Sequence, residues 1–309
     1  MSDRFLFQDN MEQVVNQLCD PDSYRQVYHR SPHHDIQMPS GDSLNEAVEL
    51  LREVLFPGYF RNDEIRPETM KFHTGAALDR AFTIFTEQIK RGYCFSCPPD
   101  GAPHCHCTVQ SEVKVREFLS RVPVIRELVA TDALAAYNGD PAAQSVGEAI
   151  FCYPSVMALT NHRIAHELYR LEVPIIPRMI SETAHSRTGI DIHPGARIGK
   201  SCFIDHGTGT VIGETCIIGE NVRIYQGVTL GAKSFPLDGD GNPIKGVPRH
   251  PIVEDDVIIY SGATILGRVT IGKGAEIGGN VWLTRSVAPG SRIQQRSFED
   301  RRFLDGEGI

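Results

Sequence analysis

Residues 253–287 read VEDDVIIYSGATILGRVTIGKGAEIGGNVWLTRSV, and their spacing carries the main structural signal of the chain. Every sixth residue is a branched aliphatic, and four places after each stands a small or branched apolar residue. The two series are Val253, Ile259, Ile265, Ile271, Ile277 and Leu283, and Val257, Ala263, Val269, Ala275, Val281 and Val287. A period of six fits neither an α-helix nor a single strand. It is typical of a hexapeptide-repeat β-helix, whose stacked coils share one core.

The same period occurs earlier in the chain. It runs through Ile192, Ile198 and Ile204, and then through Ile212, Ile218, Ile224 and Leu230. Between these two runs the phase slips by two residues, and the slip contains Asp205, His206 and Gly207. Because breaks in an otherwise regular fold often mark function, we expect this segment to belong to a functional site.

The rest of the chain divides around this coil. Apolar residues at helical spacing predict helices over 44–54, 76–90, 112–135 and 161–171. We therefore predict an α+β protein with a helical N-terminal domain at 1–188, which contains a cysteine-rich insertion at 93–108. A left-handed parallel β-helix at 189–291 follows, with a protruding loop rich in proline and glycine at 232–251. Residues 292–309 are predicted to form a mobile tail.

Bulk properties exclude several classes of function. A net charge of −8 argues against nucleic acids and anionic membranes as partners. No apolar run approaches the roughly 18 residues of a transmembrane helix, and the first residues lack the pattern of a secretory signal. In such a context eight cysteines indicate free thiols or metal ligands instead of disulfides. We expect a cytoplasmic protein and, because β-helices of this kind usually assemble with cyclic symmetry, a trimer.

Polar residues gather at the irregular points of the coil. They are Asp191 and His193, Asp205 and His206, and Arg249 and His250. With eighteen residues per coil, Asp191 and His206 fall on neighbouring coils near one edge, where an aspartate could orient an imidazole that acts as a general base. The planar fork of Arg249 suits a carboxylate. The alternative is that all of these are ordinary polar residues of surface turns.

Two long segments resemble serine O-acetyltransferases. They are IDIHPGARIGKSCFIDHGTGTVIGETCIIGENVRIYQGVTLG at 190–231 and RHPIVEDDVIIYSGATILG at 249–267. GDPAA at 139–143 and HRIAHEL at 162–168 resemble the helical region of the same family. The likeness covers roughly residues 125–290. It is specific, because other hexapeptide acyltransferases share the repeat without this set of motifs.

The resemblance implies a mechanism and roles for named residues. His206 would remove the proton of the serine hydroxyl, and Asp191 would orient His206. The serine oxygen would then attack acetyl-CoA directly, with no acyl-enzyme. The substrate-binding residues implied are Asp140 and Asp205 for the ammonium group, and Arg249 and His250 for the carboxylate. L-Cysteine would compete for the serine pocket.

The resemblance also implies coenzyme contacts and partners. Acetyl-CoA would lie along the coil against Gly231, Ala232, Ser261 and Gly279. The chain departs from the family here, since Glu276 stands where relatives often have a lysine. The assembly would be a homotrimer or a dimer of trimers. The tail, ending in Ile309, would dock into O-acetylserine sulfhydrylase by capture of its C-terminal carboxylate.

A cysteine cluster lies outside this likeness. Cys94, Cys97, Cys105 and Cys107 fall within fourteen residues, in a CxxC and a CxC pattern. Such a set could bind zinc or an iron–sulfur cluster, which would clamp the helical domain. Reduced surface thiols are the alternative.

Three other functions stay open from the sequence alone. One is a hexapeptide acetyltransferase that acts on a sugar or another hydroxyl. Another is a metal-dependent lyase built on the same coil, with His193, His206 and His250 as ligands. The third is a regulatory protein that acts only through its tail. His162 and His166 share one helix face and are predicted to serve in packing or at an interface.

Overall fold

The computed structural model describes residues 2–28, 37–60, 65–97 and 107–295. Helices come first: Ser2–Leu18 (α1), Pro21–Tyr24 (α2), Gly41–Leu55 (α3), Met70–Phe95 (α4), Cys107–Gly139 (α5), Val146–Cys152 (α6), Pro154–Arg170 (α7) and Ile176–Thr188 (α8). Short strands follow: Asp191–Ile192 (β1), Arg197–Ile198 (β2), Phe203–Asp205 (β3), Val211–Ile212 (β4), Ile217–Ile218 (β5), Arg223–Tyr225 (β6), Thr229–Gly231 (β7), Ile252–Val253 (β8), Ile258–Ile259 (β9), Thr264–Leu266 (β10), Thr270–Ile271 (β11), Glu276–Ile277 (β12), Trp282–Leu283 (β13) and Arg292–Ile293 (β14). Among the described residues, no helix combines the length and apolarity that crossing a bilayer requires.

The strands form three parallel sheets, which are the three sides of a coil. Sheet A has the order β1-β4-β7-β10-β13, sheet B has β2-β5-β8-β11, and sheet C has β3-β6-β9-β12-β14. Through β12 the chain visits A, B and C in turn, so each circuit adds one strand to each sheet. The predicted α+β architecture, a helical part followed by a hexapeptide-repeat β-helix, is confirmed.

The six-residue series forms the core of this coil. Its members in the later block are all buried: Val253, Ile259, Ile265, Ile271, Ile277 and Leu283. Because side chains alternate along a strand, the residues flanking each of these point outward. Burying one such side chain contributes about 1.5–3 kcal/mol, so the repeat stabilises the coil at every side.

The phase slip is visible in the strand register. Asp205 pairs with Tyr225, whereas Val211 pairs with Thr229. The lower coil therefore holds two more residues than the upper coil between these paired positions. This extra length is the predicted slip, and it places His206 and Gly207 in a bulge outside the regular coil.

The turns between sheets provide two columns of exposed positions. We call the passage from sheet C to sheet A the C–A corner and the passage from sheet A to sheet B the A–B corner. Residues 206–210, 226–228, 260–263 and 278–281 form the C–A corner. Residues 193–196, 213–216, 232–251 and 267–269 form the A–B corner, in which 232–251 is the long connection between β7 and β8.

The helices pack around a separate core that rests on the first coils. The predicted helical segments lie within α3, α4, α5 and α7, apart from Leu171, which follows the last residue of α7. Pro177 lies in the first turn of α8, where a missing N–H has no cost, so it begins a helix there and does not end one. His162 is 2% exposed within α7 and serves in packing, as predicted.

A buried ion pair joins the helices to the coil. The Arg163 guanidinium in α7 donates two 3.1 Å hydrogen bonds to the Asp132 carboxylate in α5. The same guanidinium donates to the carbonyl oxygens of Ile198 and Gly199, and Asp132 accepts the N–H of Cys202 at 3.0 Å. This network fixes the end of α5, and therefore the loop that follows it, against the first coil.

Removal of one partner from this network is expected to destabilise the whole protein. Asp132→Ala leaves the Arg163 charge buried and unpaired, which should cost roughly 3–5 kcal/mol of the free energy of unfolding. Glu46→Ala, which breaks the exposed pair with Arg80, is the matched control and should cost about 1 kcal/mol or less. Urea unfolding measures both values. Equal losses for the two variants would contradict this assignment.

Candidate active site

His206 stands in the bulge at the C–A corner. Its backbone is left-handed, with φ of 55°, and its side chain is 72% exposed. Its Nε2 lies 3.8 Å from Oδ1 of Asp205. Gly207 makes the bulge feasible, because its φ is 83° and an added Cβ would lie 2.4 Å from the Ile190 side chain. The bulge therefore presents an accessible imidazole beside a carboxylate.

Asp140 reaches the same corner from the loop after α5. Its Oδ1 accepts the N–H of Ala142 at 2.8 Å, and its Oδ2 accepts the Tyr153 hydroxyl at 2.5 Å. The Tyr153 bond, then the Ala142 bond, and to a lesser extent the charge of His206, hold the pKa of Asp140 below its ordinary value. Asp140, Tyr153, Asp205 and His206 thus form one group, which we call the His206 cluster.

Arg249 lies at the A–B corner, at the return of the long loop. Its Nη2 is 2.7 Å from Glu214 Oε2, and Oε1 of Glu214 accepts the Tyr169 hydroxyl at 3.2 Å. Burial raises the pKa of Glu214, but the Arg249 bond and the charges of His193 and Arg249 outweigh it and lower that pKa. Tyr169, His193, Glu214, Arg249 and His250 form a second group, the Arg249 cluster.

His250 is held as a neutral donor in this cluster. Burial, followed by the Arg249 charge, lowers the pKa of His250 to about 4. Its Nδ1 accepts the backbone N–H of Thr215 at 3.1 Å, so in the neutral ring the proton is assigned to Nε2. Gly213 makes room for the ring, since an added Cβ there would lie 2.1 Å from His250.

Asp191 lies on sheet A between the two corners. Its N–H bonds the carbonyl of Thr210 at 2.9 Å, which places it one coil below the segment that carries His206. Among the described residues no hydrogen bond links its carboxylate to His206. Ligand atoms of Asp191, Glu182 and His185 lie within 4.8 Å of one another, a spacing at which they could hold a metal ion.

The two clusters stand at opposite ends of sheet A. Strand β4 and its flanking residues separate them, a distance of roughly 10–15 Å at strand rise. The structure therefore brings Asp140 and Asp205 to His206, and His250 to Arg249, but it does not bring the two groups together within one chain. The three histidines considered for a lyase are divided in the same way, since only His206 lies at the C–A corner.

The predicted coenzyme contacts are divided too. Ser261 and Gly279 lie at the C–A corner, on successive coils above His206, and an added Cβ on Gly279 would lie 3.2 Å from the Ser261 carbonyl. Gly231 and Ala232 lie at the A–B corner, where β7 ends. Glu276 is occupied by an ion pair with Arg292 at 2.9 Å.

Three functional partners escaped sequence reasoning. Tyr153, Glu214 and Thr215 hold Asp140, Arg249 and His250, respectively, yet a tyrosine before a helix and polar residues at a turn are commonplace in sequences. The only signal was position, because Glu214 and Thr215 occupy the corner one coil below the Arg249 loop.

The cysteine cluster is only partly described. Cys94 is buried, which raises the pKa of its thiol, and Cys97 is half-buried. Cys105 lies outside the described residues, as do the side chain of Cys107 and the terminal Ile309. The metal at this cluster stays a prediction.

Comparisons with known proteins agree with this geometry. The family model for bacterial transferase hexapeptides (six repeats) matches residues 250–285. A plasmid-encoded serine acetyltransferase of Synechococcus elongatus is 51% identical over 90% of this chain and 90% of its own length. The crystal structure of serine acetyltransferase isoform 3 from Entamoeba histolytica, in complex with cysteine, covers 92% of both chains with 35% identity and a TM-score of 0.71. Soybean serine acetyltransferase complexed with serine covers 82% of this chain and 94% of its own, with 28% identity and a TM-score of 0.51.

The fold and the exposed histidine define an acyltransferase of the hexapeptide-repeat class. Within that class, the chain belongs to the serine acetyltransferase family. The predicted activity and its co-substrate, acetyl-CoA, are thereby confirmed, and the acceptor is serine instead of a sugar.

The protonation of His250 gives a first prediction. Its ring should stay neutral from pH 8 to pH 5 and titrate near 4, with the proton on Nε2. Two-dimensional ¹H–¹⁵N spectra of the histidine side chains follow both properties. A midpoint at about 6.5, as in an unfolded peptide, would show that the ring is not held as described.

The same shift has a consequence for stability. The unfolded chain takes up this proton below about pH 6.5, whereas the folded chain does so only near pH 4. The free energy of unfolding should therefore fall as the pH drops through that window. Replacement by a group that does not titrate, His250→Gln, should remove this part of the slope.

Proposed function

We propose that this chain acetylates the hydroxyl of L-serine by direct attack, with His206 as the general base. An unprotonated imidazole nitrogen of His206 takes the hydroxyl proton while the serine oxygen attacks the thioester carbonyl carbon. The carbon–sulfur bond then breaks, and the coenzyme leaves as a thiolate that receives the proton from the imidazolium. Exposure of His206 in the bulge, beside two carboxylates, is the observation that carries this proposal.

The charges around the site suit a zwitterionic substrate. We assign Asp140 and Asp205 to the serine ammonium group, because they lie in the His206 cluster and the pKa of Asp140 is lowered. We assign Arg249 and His250 to the carboxylate. Arg249 has further N–H groups beside the one that meets Glu214, and a neutral Nε2–H donor binds a carboxylate without adding charge.

Since these two groups are far apart in one chain, we infer that the complete site forms between two copies. The His206 cluster of one copy would face the Arg249 cluster of the next. A closed ring satisfies this requirement for every copy, and a homotrimer or a dimer of trimers fits it. Ser261 and Gly279 of one copy, with Gly231 and Ala232 of its neighbour, would then line a single coenzyme groove.

We propose that Asp191 orients His206. Its position one coil below the bulge supports this role, because a rotation of either side chain could bring a carboxylate oxygen toward the ring. Such a contact fixes the tautomer and stabilises the imidazolium that forms during attack. Asp205, whose Oδ1 is 3.8 Å away, is the nearer carboxylate in this structure.

We also propose ligands and partners that the family suggests. The Entamoeba relative binds cysteine, which supports binding of L-cysteine in the serine pocket here. Docking of the C-terminal Ile309 into O-acetylserine sulfhydrylase rests on the sequence alone. Free described cysteines fit a reducing cytoplasm, and metal analysis of the purified protein would test for zinc or an iron–sulfur cluster at the cysteine cluster.

Kinetics of a histidine variant test the proposed mechanism. His206→Ala should lower kcat by at least about 10²-fold, because a positioned base contributes roughly 10²–10⁴-fold. His185→Ala, which removes another exposed histidine, is the control and should keep most of the activity. The measurement is serine-dependent release of coenzyme A thiol from acetyl-CoA. A folded His206→Ala protein with native kcat would refute the assignment of the base.

A further inference from the structure

A pair of stacked tyrosines stands directly above the His206 cluster. The rings of Tyr225 and Tyr260 are 5.3 Å apart with an interplanar angle of 16°, and Tyr260 is 38% exposed. Register places Tyr225 on the coil above Asp205 and Tyr260 on the next coil. At about 4.8 Å per coil, the two rings line the first 10 Å or so of the corner above the base.

The surface beside these rings has no side chains. Gly209, Gly227 and Gly262 stack along the C–A corner with positive φ, and an added Cβ on either of the first two would touch the next Cα at 3.7 and 3.6 Å. A strip of bare backbone therefore runs upward along the tyrosine wall. Together they form a trough that leads away from His206.

The trough contains a polar atom that lacks a partner. Oε1 of Gln226 is buried, and no group among the described residues donates a hydrogen bond to it. Gln226 directly follows Tyr225, so this oxygen lies one coil above the bulge. Buried acceptors in proteins are nearly always satisfied, which indicates that a donor from another molecule belongs here.

Only one direction along the corner is open. Below the bulge, the helical part closes the corner, because Asp140 and Tyr153 stand beside His206 and Gly139 lies against the Phe203 ring, where a Cβ would approach to 2.6 Å. A long co-substrate that presents its thioester to His206 must therefore extend up the coils, past the tyrosines.

We propose that Tyr225, Tyr260 and Gln226 hold the pantetheine arm of acetyl-CoA. The methylene groups of the arm pack on the exposed ring faces, and an amide N–H of the arm donates to Oε1 of Gln226. The length of the trough matches the part of the arm nearest the thioester, so the nucleotide end lies beyond these residues. This inference rests on the proposed role of His206, because that role fixes where the thioester stands.

Direct binding of coenzyme A tests the proposal apart from catalysis. Tyr260→Ala should raise the Kd measured by calorimetry about tenfold, which is the loss expected for roughly 50 Å² of apolar contact. Tyr260→Phe keeps the ring and should bind like the wild type. Gln226→Met removes the acceptor at similar volume and should weaken binding about three- to tenfold.

A matched control comes from the second tyrosine pair of the chain. Tyr24 and Tyr28 have ring centroids 5.4 Å apart in the N-terminal helices, so Tyr28→Ala removes a comparable exposed ring and should leave the Kd unchanged. Acetyl-pantetheine, used as a shortened donor, should show the same tenfold loss in Tyr260→Ala, since the contact lies on the arm. The KM for serine should stay within about twofold, because the tyrosines do not touch the acceptor.

Several results would overturn this inference. An unchanged Kd for Tyr260→Ala would do so, as would a loss seen with coenzyme A but absent with acetyl-pantetheine. A change in the oligomeric state of Tyr260→Ala, measured by light scattering, would show that the rings contact another copy of the chain instead. Because the Kd can also be measured in His206→Ala, failure of the wall and failure of the base give separate results.

Discussion

Inward-pointing aliphatic residues at every sixth position constrain all other features of this molecule. Each side of the coil buries one such residue, so charged groups can stand only on outward faces and at corners. The coil also stacks at a regular spacing, which fixes the height of each corner residue relative to the next. A two-residue insertion is therefore a strong perturbation. It cannot be absorbed inside the core, and it pushes His206 and Gly207 out into solvent at a defined height.

The charges of the site are stored in two halves that are each satisfied alone. Asp140 is bound by Tyr153 and Ala142, while Arg249 is bound by Glu214. Neither half leaves an unpaired buried charge, which would cost several kcal/mol. An acidic half with a base and a basic half with a neutral donor together match an amino acid. On this account, assembly of two copies joins the halves, and the tyrosine trough brings in the second substrate.

The sequence was sufficient for the coil and for the base. Periodicity alone predicts the β-helix, because a six-residue repeat has few other structural solutions. The slip in that periodicity locates His206, since a bulge in a regular coil changes the phase by its own length. Sequence reasoning failed for Tyr153, Glu214 and Thr215, whose roles depend on contacts between segments that are distant in the chain. It also could not show that Arg249 and His206 lie at opposite corners, because that requires the register of the coils.

Complementation between two inactive variants is the most direct test of a site shared by two chains. His206→Ala and Arg249→Ala would be co-expressed, and the mixed oligomers assayed for acetylation of serine. If each site takes these residues from different copies, random assembly restores about a quarter of the sites of a ring. A chain with both substitutions, co-expressed with Arg249→Ala, supplies no native Arg249 and should stay inactive. Mixed oligomers of the two single variants that are no more active than their parents would contradict the shared site.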